Sequence, residues 1–147
     1  MVTNKDLQIN LVSRKYPKNI QDLIKRFRRP YPTDIEYIRR LDKEYDIIRD
    51  KGFVDTFQRV SDIIDLIKQK NIPHVLRGSA ASSLVCYQLG ISDIDPIKEK
   101  IPLTRFMNLC RDTQPDVDLD VPHWIRDLLI EEFHEKHPHK VARVSNK

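Results

Sequence analysis

Acidic and aliphatic residues alternate without a break along Asp116-Val117-Asp118-Leu119-Asp120-Val121, just after Pro115. A period of two is the mark of a strand with unlike faces, so this stretch is expected to be a strand with three carboxylates on one side. Residues two apart on a strand lie roughly 6.5–7 Å from each other on that side, close enough for Asp116 and Asp118 to reach toward one hard divalent cation. Upstream, the run Val75-Leu76-Arg77-Gly78-Ser79 followed by Ala80 to Gly90 reads as strand, tight turn and helix. The start of such a helix offers unpaired N–H groups and the positive end of its dipole, and Arg77 adds a fixed charge beside them. A phosphate grip together with carboxylates for two cations is what nucleotidyl transfer needs. Each motif alone has a plainer meaning: Ser79 is an N-cap, and an isolated Asp-x-Asp is a solvated strand face.

The rest of the chain surrounds that stretch with helices. Asn19 can cap a short helix in which Ile20, Leu23, Ile24 and Phe27 fall at helical spacing, and Pro30 and Pro32 close that segment. Thr33 or Asp34 can cap a second helix with Ile35, Ile38, Leu41, Tyr45 and Ile48 on one stripe, ended by Gly52. A third helix over 54–70 turns Phe57, Val60, Ile63, Ile64 and Ile67 inward until Asn71 and Pro73 stop it. Gly90 to Pro96 reads as a turn, 97–108 as a loop with a short helical piece, 123–136 as a helix carrying Trp124, Leu128, Leu129 and Phe133, and 141–144 as a further strand.

Composition bounds the function without choosing it. With 39% apolar and 33% charged residues, no apolar run long enough to cross a bilayer and no signal-peptide pattern, the 147 residues suit a cytoplasmic domain that needs no membrane. The net charge of +4 comes from residues 1–29, which hold eight Lys/Arg against two Asp/Glu; that excess suits phosphate contacts to a nucleic acid and equally a solvated helix face. Cys86 and Cys110 show no ligand spacing and read as reduced core thiols, and Pro138 breaks any helical alignment of His134, His137 and His139 into a metal site.

Taken together, Arg77-Gly78-Ser79-Ala80-Ala81-Ser82-Ser83-Leu84-Val85, Gly90-Ile91-Ser92-Asp93-Ile94-Asp95-Pro96, Arg105-Phe106-Met107-Asn108 and Pro115-Asp116-Val117-Asp118-Leu119-Asp120 make the chain similar to one family. It resembles the palm of the bacterial C-family replicative DNA polymerases, the alpha subunits of DNA polymerase III, from Arg77 to about Val121 and more loosely from Asp34 to about Val144. The resemblance implies an α/β fold of the α+β kind: a partial polymerase-beta-like nucleotidyltransferase palm, its helical N-terminal half packed on a small mixed sheet. Residues 1–33 would be a basic lead-in with a short helix, and 34–147 the partial palm domain.

By the same resemblance Asp116 and Asp118 are the catalytic metal ligands, holding Mg²⁺ or Mn²⁺, while Arg77, Gly78, Ser79 and Arg105 bind the triphosphate. The implied partners are a DNA primer-template, a deoxynucleoside triphosphate, and the remainder of a polymerase or other replisome subunits. The implied function is that of a fragment or truncated relative of a DNA-directed DNA polymerase working by two-metal nucleotidyl transfer. The alternative is a catalytically incomplete module that kept the palm fold and binds nucleic acid or a polymerase. Ser82 stands where the family has a glycine, and the family's third aspartate and its lysine would lie past Lys147, so the chain alone is expected not to extend a primer.

Overall fold

The computed structural model describes residues 16–103, 118–120, 122, 126, 127, 130 and 131. Among the described residues three amphipathic helices come first: α1 (Lys18–Lys25), α2 (Ile35–Lys51) and α3 (Val54–Gln69). Then β1 (Val75–Arg77) runs into a 3₁₀ turn (Gly78–Ser82), followed by the short helix α4 (Leu84–Gln88), and β2 is Asp118–Asp120.

The helices form where local signals and apolar stripes agree. The Asp34 carboxylate caps α2 by accepting from the Glu36 amide at 2.9 Å, and Gly52, at φ 70°, closes it in the left-handed conformation that a side chain would strain. Asn19 is not a cap: α1 opens at Lys18 behind Pro17, which supplies no side-chain bond. Inside, Ile20, Leu23 and Ile24 of α1 meet Leu41, Tyr45 and Ile48 of α2, Phe57 and Ile64 of α3, and Leu84, Val85 and Leu89 around α4 in one buried cluster. Ile35, expected on the inward stripe of α2, is 61% exposed, because it is the first residue of the helix and lies beyond the layer that the others cover. Among the described residues no helix is long and apolar enough to cross a membrane.

The α+β palm expected from the sequence is corrected by this architecture. The described residues are almost wholly helical, and the pairing between β1 and β2 is a two-stranded antiparallel ribbon of three residues per strand, not a mixed sheet. The physical reason lies in the stripes of α1 and α2 and one face of α3, which bury one another in a single cluster; a three-residue ribbon is too small to form a layer. The acidic stretch does lie beside Val75 and Leu76 as expected, with Val75 opposite Asp120, Leu76 opposite Leu119 and Arg77 opposite Asp118. Val117, Val121 and the expected strand over 141–144 lie outside the described residues, as does most of the expected helix over 123–136, whose Arg126, Asp127, Ile130 and Glu131 are helical.

The end of α1 is fastened to the end of α4. The amides of Arg28 and Arg29 donate to the Gln88 carbonyl at 2.8 and 3.3 Å, and the Gln88 side chain returns bonds to the carbonyls of Arg29 and Pro30. The Arg29 guanidinium lies 4.0 Å from the centre of the Tyr87 ring and donates to the carbonyl of Tyr87, in the last turn of α4, and to that of Ser92 beyond it. Gly90, at φ 77°, lets Arg28 pass: a Cβ there would stand 2.5 Å from Arg28 Cδ.

Candidate functional site

The turn after β1 is short and internally bonded. Ser82 Oγ donates to the Ser79 carbonyl at 2.7 Å and the Ser83 amide donates to the Ala80 carbonyl at 3.1 Å, which winds Gly78–Ser82 into a 3₁₀ turn. Ser79 is therefore not the helix cap it was expected to be. That role belongs to Ser83, whose Oγ accepts from the Cys86 amide at 3.1 Å.

The anion at the start of α4 is supplied by the protein itself. Glu44, completely buried on α2, accepts from Ser83 Oγ at 2.6 Å, from the Leu84 amide at 2.7 Å and from the Val85 amide at 3.1 Å. These are orphan N–H groups of a helix start, and a carboxylate already fills them. Burial pushes the Glu44 carboxyl above its ordinary range, against the downward pull of Ser83, the two amides and Arg40. Arg40, one turn earlier on α2, places Nε 3.4 Å from Glu44 Oε2 and donates through Nη2 to the carbonyls of Ser82 at 2.6 Å and Ile101 at 2.9 Å.

The predicted site residues fall into two groups. Arg77 ends β1 and pairs in register with Asp118 of β2, and Gly78 and Ser79 open the 3₁₀ turn, so the turn and the acidic stretch are brought together at the level of the backbone. Asp116 and Arg105 lie outside the described residues. Among the described residues no group of three or more His, Cys, Asp or Glu side chains converges where a metal ion could sit. With no such group and no palm sheet among the described residues, the expected two-metal mechanism on Asp116 and Asp118 is corrected. Cys86 is buried and free, in line with a core thiol, and Cys110 is outside the described residues.

Two charged regions of the surface are also accounted for. Much of the basic excess near the N-terminus is engaged within the fold: Arg26 pairs with Asp62 at 2.6 Å, Arg28 with Asp65, and Arg29 with Asp93 at 3.1 Å. A cleft of about 610 Å³ beside α4 is lined by Tyr87, Asp93, Ile94, Asp95, Lys98, Glu99 and Ile101. Three carboxylates against one lysine repel a triphosphate, and Asp95 is already committed to the Tyr37 hydroxyl at 2.6 Å and the amides of Ile97 and Lys98.

Sequence reasoning missed Glu44 and Arg40, although a signal was present. Leu41, Glu44, Tyr45 and Ile48 stand at i, i+3, i+4 and i+7, which sets Glu44 on the buried stripe of α2. A carboxylate there has to find buried donors.

A family model described as the bacterial DNA polymerase III alpha NTPase domain matches residues 10–146. The chain is 46% identical over 104 residues to the DNA polymerase III subunit alpha of Ureaplasma parvum, covering 69% of this chain and 10% of that protein. It is 38% identical over 129 residues to the DNA polymerase III subunit alpha of Thermotoga maritima, covering 87% of this chain and 15% of that protein. Against the error-prone DNA polymerase of Cutibacterium acnes it is 39% identical over 103 residues, 70% of this chain and 9% of that protein. The chain thus spans between 9% and 15% of the length of these relatives.

Proposed function

The chain belongs to the bacterial DNA polymerase III alpha family, and from that premise we propose that it serves DNA replication as a helical mount for a nucleotide-contacting turn. In this reading α2 holds the turn from behind through Glu44 and Arg40, and the turn presents Arg77, Gly78 and Ser79 to the deoxynucleoside triphosphate, with Arg105 contributing from the segment after Leu103. The phosphates meet the side chains and backbone of the turn, since the α4 amides are taken by Glu44. Magnesium enters as the counterion of the triphosphate. A DNA primer-template and the remainder of a polymerase, or other replisome subunits, are the partners, and a cytoplasmic location follows from that role.

The observation that carries the reading is the buried Glu44 bridge, which fixes the turn inside the segment matched by the family. The test is fluorescence anisotropy of a labelled primer-template and of a fluorescent deoxyadenosine triphosphate with Mg²⁺, each titrated with the chain. Binding of the triphosphate that weakens about tenfold in Arg77→Ala, the loss of one charge-assisted contact, is the expected result. Absence of nucleotide binding by the wild-type chain would remove the reading.

A further inference from the structure

The turn assigned to the nucleotide is joined to the stretch that begins at Ile101 by one side chain. Arg40 is only 14% exposed, and its Nη2 bonds the Ser82 carbonyl at 2.6 Å and the Ile101 carbonyl at 2.9 Å. Ser82 ends the 3₁₀ turn that begins at Gly78, while Ile101 stands at the head of the segment leading through Leu103 to Arg105. Ile101 is itself seated by its amide, which donates to the Pro96 carbonyl at 2.8 Å. The same guanidinium lies against Glu44, which holds the far side of the turn through Ser83, Leu84 and Val85. Both carbonyls are bonded by the one nitrogen Nη2, while Nε faces Glu44 without a hydrogen bond, so the reach of the side chain sets the grip; a lysine ammonium ends one bond short of Nη2 and cannot keep both carbonyls.

We propose that Arg40 is a positioning residue that sets the spacing between the Ser79 turn and residues 101–103, so that the turn meets the triphosphate in one fixed arrangement. This rests on the nucleotide-contacting role proposed for the turn. Arg40 touches no reacting group; it acts by holding two backbones at a fixed separation. Nucleotide bound at the turn is then felt at 101–103 without a contact there.

Amide hydrogen exchange of the full chain, titrated with deoxyadenosine triphosphate and Mg²⁺, tests this. In the wild type, protection at 78–85 and at 101–103 should rise together with one midpoint concentration. In Arg40→Lys, which keeps the charge beside Glu44, protection at 78–85 should persist while that at 101–103 is lost, and the midpoint should rise about tenfold. An unchanged response in Arg40→Lys, or two separate midpoints in the wild type, overturns the proposal. The wild-type titration stands even if the variant does not fold, which circular dichroism will show. A wild type whose exchange ignores nucleotide in both segments overturns the nucleotide reading itself, and the proposal with it.

Discussion

Replacing Glu44 with glutamine changes one atom and should cost much of the fold's stability. All three hydrogen bonds to Glu44 arrive from donors: Ser83 Oγ and the Val85 amide at Oε1, and the Leu84 amide at Oε2. Glutamine has a single acceptor, so its amide nitrogen must face a backbone N–H or the serine hydroxyl. One buried donor then goes unpaired, at about 1–3 kcal/mol, and a bond to a charged acceptor worth about 1.5–3 kcal/mol is lost. Arg40 also loses its carboxylate, and the effects overlap, so a net loss of about 3–4 kcal/mol is expected, within the range for breaking a buried ion pair. For a chain of this size that lowers the midpoint of thermal unfolding by about 10–15 °C.

Urea unfolding followed by circular dichroism at neutral pH measures the loss. A gap between wild type and Glu44→Gln of under about 1 kcal/mol would refute the structural role of the Glu44 bridge.

Gly90→Ala should destabilise by about 2 kcal/mol and Gly52→Ala by about 1 kcal/mol in urea unfolding, since both sit in the left-handed region but only Gly90 has a neighbour in the way. Equal losses would show that Arg28 moves aside without cost. Tyr45→Phe should lower stability by about 1–2 kcal/mol, because the buried hydroxyls of Tyr31 and Tyr45 bond each other at 2.9 Å and the substitution removes that bond. Alkaline titration at the phenolate band should find native tyrosines resisting ionisation: burial pushes Tyr31 up to about 12, the hydrogen bond to Asp95 pushes Tyr37 up to about 12, and burial raises Tyr45 and Tyr16. Their contribution to stability is full below pH 10 and lost as pH rises toward 12, so the missing absorbance should appear together with unfolding. A native titration with all phenols ionising near pH 10 would contradict the burial.

What was legible in the sequence was what a single helix determines. The stripe of α3 was read as 54–70 and the helix runs Val54–Gln69; Gly52 closed α2 as its position implied. The family was legible too, because its motifs are local runs of residues in a fixed order. Where reading failed, distant residues decided the outcome. Whether a helix began at Ala80 or Leu84 depended on Glu44, far off on α2, supplying an acceptor for Leu84 and Val85. The N-terminal arginines looked like a surface charge because Asp62, Asp65 and Asp93, which engage them, lie well downstream. The sheet was overestimated because alternation shows that a segment can be a strand but not how many partners it will have.

The fastening of α1 to α4 also orders events in time. Its hydrogen bonds join residues 58 to 64 positions apart, from Arg29 to Tyr87 and from Arg29 to Asp93. An eight-residue helix such as α1 is not stable alone in water, and its end cannot be fastened until α4 exists. At ribosomal speeds that wait is roughly 3–12 s, during which Ile20, Leu23 and Ile24 can meet α2 and α3 but lack the part of their core that surrounds α4. A nascent chain arrested before Gln88 thus offers chaperones and proteases an apolar face that the folded chain conceals.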